Sequence, residues 1–479
     1  MIFRFRSVAI RNFMSIGRGE ITMPSCKDNC NFSSDILGIY GQNGSGKSSL
    51  IKSLELLKYA FRQKHFSEEI ENTIDYSTYI TSGEDKAGFV FTFDFYGFTG
   101  NGLPENLNGS LKYSFSLKPG KEYAEILDEK IQIDVDDEYI PSLKVKVGKR
   151  SHNADLKELV DLLTSAGGYA GKDRLLTYLE DYRNAAKANT LSFFNQAFIL
   201  NGNVFGSTIE YETEEPEMIW GHYSLLCDLL DNFSYYLDKN VYIYGDTEEG
   251  EVRMGKIYLP NSRFYEDFEY HIDASTSNIE IVLASEEVEI NTLNLIKKDI
   301  VKISKVMEGF FPGISFYIDE ERRLAVMRNG VSNLFMNESY GVRKLFRLSA
   351  LLLRMYCESS FLLVVDEFDE GIFEYILGEM LAALDECGKG QMIFSAHNLR
   401  PLEVLKKNSI VFTTDKADAK FVTLKNLKPN HNLRDVYLRM LYMPDFDGRF
   451  NQEDLYNGPD VTDITYSLES AKGIEYGTN

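Results

Sequence analysis

A glycine-rich octapeptide near the amino terminus has the residue types that suit phosphate binding. Residues 41–48 read Gly-Gln-Asn-Gly-Ser-Gly-Lys-Ser, which fits the pattern G-x-x-x-x-G-K-[ST]. Glycines let backbone N–H groups curve around a phosphate, a lysine adds a mobile positive charge, and a serine hydroxyl can bind Mg²⁺. The residues predicted to contact the phosphates of a nucleotide are Gly41, Gln42, Asn43, Gly44, Ser45, Gly46, Lys47, Ser48 and Ser49.

Two adjacent carboxylates follow a fully apolar pentapeptide far downstream. Phe361–Val365 reads FLLVV and is followed by Asp366 and Glu367. Such a run is typical of a strand buried on both faces of a parallel sheet. Asp366 could hold Mg²⁺ through water, and Glu367 could polarise an attacking water molecule. Alone, the pattern equally suits an ordinary strand that runs into an acidic loop, but with residues 41–48 it favours a nucleotide site.

A histidine follows the next predicted strand. Met392–Phe394 is short and apolar, and Ser-Ala-His-Asn comes directly after it. A lone histidine is most often structural or exposed. One strand beyond Glu367, however, His397 could reach the γ-phosphate of a nucleotide and detect its presence. We therefore predict His397 as a second catalytic residue.

Ser339 and Gly341 lie at the start of a predicted helix, Ser339–Tyr356, that leads into the acidic strand. Free N–H groups and the helix dipole make such an end suitable for an anion. Ser339 is equally explained as an N-cap, and both roles can hold at once. If the ATP of a second protomer lay on this helix end, the nucleotide would join two copies in a dimer.

The elements around these motifs support the nucleotide interpretation. Ile36–Tyr40 is a short apolar strand before the glycine-rich turn, and Ser49–Phe61 has helical spacing after it, which disfavours a chance turn. Ile2–Ile10 alternates as a strand, and Ala87–Tyr96 begins a run of alternating segments that predicts an antiparallel sheet. Val288–Phe310 predicts one amphipathic helix.

Composition limits the classes of partner. Of 479 residues, Asp and Glu number 73 and Lys and Arg 51, so the net charge is −22. Nonspecific nucleic-acid binding by bulk charge is therefore disfavoured. The basic stretch Lys144–Arg150 is best explained as a solvated strand edge, although it is also the best candidate for a contact with a phosphate backbone.

The chain carries no pattern typical of secretion or of a membrane span. The five cysteines have irregular spacing, which predicts reduced thiols rather than a zinc site. The apolar stretches Leu348–Leu353 and Phe361–Val365 are far shorter than the ~20 residues that a membrane span needs. The sequence therefore predicts a cytoplasmic protein without a membrane partner.

Taken in order, these motifs resemble the head of ABC-type ATPases, in the SMC-like and OLD-like class rather than the transporters. Val8–Phe13 resembles the opening I-x-N-F strand of those heads. Asn337–Leu345 resembles the degenerate signature E-S-x-G-x-[KR]-[KR] of a bacterial subfamily often encoded in phage-defence and abortive-infection loci. Asp366–Ile372 resembles the Walker B motif and the turn after it, and Phe394–Asn398 resembles the T-H-N switch segment.

The resemblance implies an α/β P-loop NTPase fold, with a mixed sheet and flanking helices, an antiparallel β subdomain and an inserted α/β lobe. It implies ATP and Mg²⁺ as cofactors and Glu367 as the catalytic carboxylate. Ser339 and Gly341 would contact the nucleotide of the opposite subunit, and Asn12 would contact the nucleotide too. One departure is Phe373, which follows Gly371-Ile372 where the family often has a histidine.

By the same resemblance Mg²⁺ would be held by Ser48, Asp366 and Gln196. Gln196 is the candidate for the family's Q-loop glutamine, and a buried amide near an aromatic cluster would give the same pattern.

The 319 residues from Lys47 to Asp366 are too many for a bare nucleotide-binding core and too poor in heptads for long coiled-coil arms. We therefore predict four parts: residues 1–96 and 311–457 as the two halves of the head, 97–310 as an inserted lobe, and 458–479 as a polar tail.

The leading hypothesis is an ATP-binding and ATP-hydrolysing switch that forms a homodimer, or a higher homo-oligomer, through ATP. It would control a separate protein effector, a nuclease or a toxin, in anti-phage defence, and nucleic acid remains open as a further partner. One alternative is a DNA repair or recombination ATPase that acts directly on DNA. Another is a scaffold that ATP stabilises without being hydrolysed. Because one fold hosts many functions, the resemblance alone does not decide among them.

Overall fold

The structure is a computed structural model of the chain. It describes residues 1–24, 32–61, 76–98, 107–119, 124–136, 144–150, 153–154, 229–244, 268–272, 277, 279–283, 289–414, 416–423, 433–435 and 437. The strands are β1 (Ile2–Phe13), β2 (Ile16–Thr22), β3 (Asp35–Tyr40), β4 (Ala87–Phe98), β5 (Leu107–Pro119), β6 (Ala124–Asp136), β7 (Lys144–Arg150), β8 (Asn153–Ala154), β9 (Val241–Tyr244), β10 (Phe268–Ile272), β11 (Ile279–Leu283), β12 (Ile314–Ile318), β13 (Leu324–Arg328), β14 (Val331–Leu334), β15 (Leu362–Val365), β16 (Gln391–Ser395), β17 (Ile410–Thr413) and β18 (Phe421–Val422). The α-helices are α1 (Lys47–Ala60), α2 (Glu289–Phe310), α3 (Tyr340–Cys357), α4 (Glu374–Cys387) and α5 (Pro401–Val404), with a further helical segment at 229–239.

A largely parallel sheet forms the middle layer, with the strand order β18-β17-β3-β16-β15-β9. Strand β3 pairs in parallel with β16 on one side and with β17 on the other, and β15 pairs in parallel with β16 and β9. The apolar runs at β3 and β15 are buried throughout, as expected for strands covered on both faces.

Alternate residues of these strands face two separate hydrophobic clusters. Leu362 and Val364 belong to the first cluster, which also contains one face of α1 and of the antiparallel sheet. Leu363 and Val365 belong to the second, which is built with α2, α3 and α4. The period of two along β15 thus places the sheet between two cores, and each core fixes the position of the strand ends.

The antiparallel sheet has the order β2-β1-β4-β5-β6-β7-β8. Along β4, every second residue from Phe89 to Phe95 is a buried phenylalanine, and these rings face α1 and the helix at 229–239. The intervening residues face outward and are partly exposed. This alternation confirms the antiparallel sheet that the sequence predicts. Within it Lys144–Arg150 is strand β7, which pairs with β6 and at its end with β8.

Three strands within the predicted inserted lobe at 97–310 pair with strands on either side of it in the sequence. Strands β5 and β6 extend the antiparallel sheet that includes β1. Strand β9 pairs with β15 in the parallel sheet. The division of the chain at residues 97 and 310 stays a prediction. Most of the range from 155 to 267 lies outside the described residues.

The predicted fold class is confirmed as an α/β architecture with a mixed sheet, flanking helices and an antiparallel sheet. The predicted strand–turn–helix around the glycine-rich turn is also present, as β3 and α1. Helix α4 begins at Glu374 because Gly371 has φ +69° and Phe373 is extended. Among the described helices, none is both long and apolar enough to cross a bilayer.

Candidate active site

The carboxyl ends of three neighbouring parallel strands bring the predicted motifs to one edge of the sheet. Strand β3 leads into the glycine-rich turn, β16 leads to His397, and β15 leads to Asp366 and Glu367. Because β16 lies between the other two, the phosphate-binding turn and the carboxylates flank the histidine segment. Such strand ends are where α/β sheets usually place their ligands.

The backbone of the glycine-rich turn requires its glycines. Gly44 and Gly46 have φ of +78° and +106°, in the left-handed region that favours glycine. A Cβ atom at Gly41 would lie 1.8 Å from the Thr413 hydroxyl oxygen. Gly46 is the N-cap of α1, and no side chain in the described part of the chain caps this helix end. Its first-turn N–H groups are thus suited to an anion.

Lys47 is buried against the turn that it follows. Its ammonium group donates to the carbonyl oxygens of Gly41 at 2.8 Å and Gln42 at 2.9 Å. Burial lowers the pKa of Lys47, and the negative charges of Asp366, Glu367 and other nearby acids partly oppose this effect. A partly desolvated cation beside the uncapped first turn of α1 is electrostatically prepared for a phosphate.

Three serines of the predicted contact set have different surroundings. The buried Ser45 hydroxyl donates to the carbonyl oxygen of Gln42 at 2.6 Å, and the buried Ser49 hydroxyl lies 3.1 Å from that of Ser15. These two side chains therefore stabilise the turn from inside. Ser48, in the first turn of α1, is exposed, so its hydroxyl is the one placed for a metal ion.

Ser395, at the end of β16, connects both carboxylate residues. Its hydroxyl donates to the Asp366 carboxylate, and its oxygen accepts the backbone N–H of Glu367 at 2.8 Å. The backbone N–H of Asp366 donates to Tyr244 in β9 at 3.0 Å, so β15 continues its pairing up to the acid. Glu367 itself has φ +49°, which is uncommon for a residue other than glycine.

His397 is held at the site edge by Asp369. The Asp369 carboxylate accepts the backbone N–H groups of His397 at 3.0 Å and Asn398 at 2.7 Å. Desolvation and the positive charge of Lys47 lower the pKa of the His397 imidazole, against the opposing effect of Asp369 and Asp366. The lowered pKa favours the neutral imidazole, which donates from one ring nitrogen and accepts at the other.

The start of α3 packs directly on the turn that follows the carboxylates. The Ser339 hydroxyl accepts the N–H of Val342 at 3.4 Å, which confirms the predicted N-cap. A Cβ atom at Gly341 would lie 2.1 Å from the carbonyl oxygen of Gly371. The glycine at 341 is thus explained by close packing, and its contact with a nucleotide stays a prediction.

One predicted residue, Asn12, makes its contact away from this edge, and another lies outside the described residues. The Asn12 amide donates to the Glu84 carboxylate at 2.8 Å, and the hydroxyl of Ser15, in the turn after β1, lies 3.1 Å from that of Ser49. Asn12 has φ +54° within β1, and the chain reverses after it, between the paired residues Phe13 and Ile16. Gln196 lies outside the described residues.

The residues present suit Mg²⁺. The Ser48 hydroxyl and the Asp366 carboxylate are hard oxygen donors, as this ion prefers, and Mg²⁺ normally takes its other ligands from water and phosphates. Consistent with so small a protein contribution, the described residues include no cluster of three or more His, Cys, Asp or Glu side chains that could hold a metal by themselves.

Four contributors to the geometry were not identified from the sequence: Ser395, Asp369, Lys344 and Thr413. Ser395 could have been found as the small polar residue at the end of a buried strand beside the acidic one. Lys344 donates to the backbone oxygen of Glu367 at 2.7 Å from within an otherwise apolar helix face. No local pattern gives that long-range contact.

Comparison with known proteins agrees with the P-loop assignment. The AAA domain family matches residues 7–196, a range that includes the glycine-rich turn. No curated protein matches the chain. The match and the geometry of the turn agree with the predicted P-loop NTPase fold.

Among solved structures, SMC head domains are similar. The SMC head domain from Thermotoga maritima is 14% identical, with 88% of this chain and 100% of that chain covered and a TM-score of 0.36. An SmcHead bound to the C-winged helix domain of ScpA is 12% identical, with 88% and 98% covered and a TM-score of 0.43. An Smc head with an extended coiled coil, bound to the C-terminal domain of ScpA derived from Pyrococcus furiosus, is 12% identical, with 88% and 96% covered and a TM-score of 0.38.

Proposed function

We propose that the protein is an ATP-binding and ATP-hydrolysing molecular switch. The observation that carries this proposal is the surroundings of Lys47: its buried ammonium group lies on the glycine-rich turn, where the charges of Asp366 and Glu367 act on it. A triphosphate placed on the turn would meet the cation, the N–H groups of α1 and the carboxylates of the neighbouring strand end together.

Each residue then has a defined chemical task. The turn and Lys47 bind the β- and γ-phosphates and stabilise the charge that develops during transfer. Glu367 accepts the proton of the attacking water, and neutral His397 hydrogen-bonds the γ-phosphate. Mg²⁺, which Ser48 and Asp366 would hold, would neutralise phosphate charge when bound.

A homodimer joined through ATP is the second part of the proposal. The start of α3, with Ser339 and Gly341, would cover the nucleotide of the partner. Three aromatic side chains lie exposed near this start: Tyr340, Phe373 and Tyr375, which are 49%, 67% and 58% exposed. Exposed apolar surface of this kind favours association, so its burial between two copies would stabilise the dimer.

The output of the switch is proposed to be a separate effector, a nuclease or a toxin, in anti-phage defence. The support is the likeness of Asn337–Leu345 to the signature of ATPases from such systems. Direct action on DNA is the less favoured function because the net charge of −22 opposes binding to a polyanion.

The experiment compares ATP turnover and assembly size of the natural protein with those of Glu367→Gln. We expect the natural protein to hydrolyse ATP and Glu367→Gln to lose turnover by at least about 100-fold while it keeps ATP-dependent dimers. Absence of turnover in the natural protein together with ATP-dependent dimers would favour the scaffold, and unchanged turnover in Glu367→Gln would contradict the role of Glu367 as the base. Turnover that DNA stimulates with steep salt dependence would favour the repair enzyme.

A pull-down with and without ATP tests the effector. The switch would be supported if a nuclease or toxin were captured in amounts that depend on ATP. It would be contradicted if the captured amount were the same with and without ATP.

A further inference from the structure

Lys344 is a buried lysine whose ammonium group contacts the catalytic segment. It lies one turn after the start of α3, and only 3% of the residue is exposed. Its ammonium group donates to the backbone carbonyl oxygen of Glu367 at 2.7 Å. The Glu370 carboxylate lies 3.9 Å away, and the Tyr340 ring centroid lies 6.0 Å away. The shortest of these contacts thus goes to the residue proposed as the base.

The backbone of Glu367 is fixed on both sides while it holds an unfavourable conformation. Its φ of +49° costs energy for any residue with a Cβ atom, so the surrounding contacts must maintain it. The Ser395 oxygen accepts the N–H of Glu367 at 2.8 Å, and Lys344 binds its carbonyl oxygen. Because the peptide groups before and after the Glu367 Cα atom are both held, the direction of its Cα–Cβ bond is also fixed.

We propose that Lys344 is a positioning residue for Glu367: it holds the backbone so that the carboxylate faces the attacking water. This inference rests on the proposed ATPase function, because the direction of Glu367 matters only if its carboxylate accepts a proton. A small error in the placement of a base costs much of the rate, since proton transfer requires hydrogen-bond distance to the reacting atom.

Other contacts also hold the start of α3 against the turn that follows Glu367. Gly341 and Gly371 approach so closely that no Cβ atom fits between them, and the Tyr340 hydroxyl donates to Glu370 at 3.0 Å. These contacts fix the helix against the turn from outside. The Glu367 carbonyl oxygen also accepts the backbone N–H of Glu370 within the turn, at 3.1 Å, whereas the Lys344 ammonium group reaches it from α3. Lys344 therefore transmits the position of the helix to the base.

The test replaces Lys344 by methionine, which keeps the length and apolar stem of the side chain and removes the donor. The matched control is Lys58→Met, because Lys58, in the last turn of α1, likewise donates to a backbone carbonyl oxygen, that of Val241 at 2.6 Å. We expect Lys344→Met to lower kcat by about tenfold or more, with the ATP Kd changed by less than about twofold. Lys58→Met should keep both constants within about twofold.

A double-mutant cycle with Glu367→Gln separates positioning from general structural support. If Lys344 acts through the carboxylate, Lys344→Met should lower the residual rate of Glu367→Gln by less than about twofold. An equal fold loss in both backgrounds, or a matching rise in the ATP Kd, would overturn the positioning role. Thermal unfolding identifies a temperature at which every variant is folded, and the rates are measured there. Lys344→Arg keeps a hydrogen-bond donor, so it should retain more turnover than Lys344→Met.

The outcomes distinguish the two proposals. Absence of ATP turnover in the natural protein would overturn the proposed function and the positioning role with it. Turnover in the natural protein that Lys344→Met fully retains would overturn the positioning role alone.

Discussion

The Ser395 hydroxyl donates a hydrogen bond to the Asp366 carboxylate across the carboxyl ends of two neighbouring parallel strands. Through the same oxygen Ser395 accepts the backbone N–H of Glu367. One small side chain therefore orients the acid proposed to bind Mg²⁺ and the segment that carries the proposed base. Its place is fixed by the pairing of β15 with β16, which is itself a consequence of two buried apolar runs.

Replacing Ser395 by alanine should impair turnover more than folding. The change leaves the Asp366 carboxylate and the Glu367 N–H without this partner, so we expect a loss of about 1–3 kcal/mol in the free energy of unfolding. ATP turnover should fall by about tenfold or more because both groups lose their orientation. Ser53→Ala is the control, since the buried Ser53 hydroxyl bonds within its own helix, to Leu50 at 2.6 Å. Equal turnover in both variants would count against the role of Ser395.

Replacing Lys47 by methionine should abolish the stabilisation of the protein by ATP. A ligand that binds only the folded state raises its stability, by about 2.7 kcal/mol at 100 times its Kd. Without the ammonium group the phosphates lose their nearest cation, so the rise in Tm with ATP should disappear. Lys52→Met, on the same helix but paired with Glu55 at 2.8 Å, should keep the full rise. A rise in Tm that persists in Lys47→Met would show that ATP binds elsewhere.

Replacing Gly341 by alanine should destabilise the protein by about 1–3 kcal/mol, because the new methyl group would overlap the carbonyl oxygen of Gly371. Denaturant unfolding measures this loss. Gly309→Ala, on α2, is the control. Outside its own helix backbone, no atom of the described residues lies within 4 Å of a Cβ atom at Gly309, so the helix should gain up to about 1 kcal/mol. Similar effects of the two changes on the free energy of unfolding would contradict the close packing of Gly341 against Gly371.

Asp299 makes stability depend on pH. It is 2% exposed, one of its carboxylate oxygens has no hydrogen-bond partner within the described residues, and burial raises its pKa to about 7 against the weaker effect of Lys302. Between pH 4 and 7 the folded state thus binds more protons than the unfolded state, so stability falls as pH rises through this window and levels off above it.

Asp299→Asn should remove that decline, because the amide resembles the uncharged acid. At pH 8 we expect the variant to exceed the natural protein by on the order of 1–3 kcal/mol, and at pH 4 the two should agree. Urea unfolding across this range gives the comparison, with the exposed Asp231→Asn as control. The raised pKa of Asp299 would be contradicted if the stability of the natural protein rose from pH 4 to 7 in parallel with that of the asparagine variant.

The parts of the fold that follow from local patterns could be predicted from the sequence. The buried run before Asp366, the glycine-rich turn and the helix after it each depend on neighbours along the chain, and each is present. The place of β9 could not be predicted, since Val241 pairs with Leu362 across a long stretch of chain. Periodicity carries no information about such pairing.

The same limit applies to the site. Strand order brings Lys47, Glu367 and His397 to one sheet edge, as their motifs indicate, whereas the amide of Asn12 bonds to Glu84. Lys344 was missed because its role arises from a contact between a helix interior and a distant backbone oxygen. Residue type and spacing predict which groups share an edge, and packing decides which of them touch.

A crystal structure of Glu367→Gln with ATP and Mg²⁺ shows whether the glycine-rich turn binds a triphosphate that residue 367 faces. We expect the ammonium group of Lys47 to leave Gly41 and Gln42 for the phosphates, with the metal ion between the Ser48 hydroxyl and Asp366. A triphosphate bound away from this turn, with Lys47 still on its two carbonyl oxygens, would refute the proposed site.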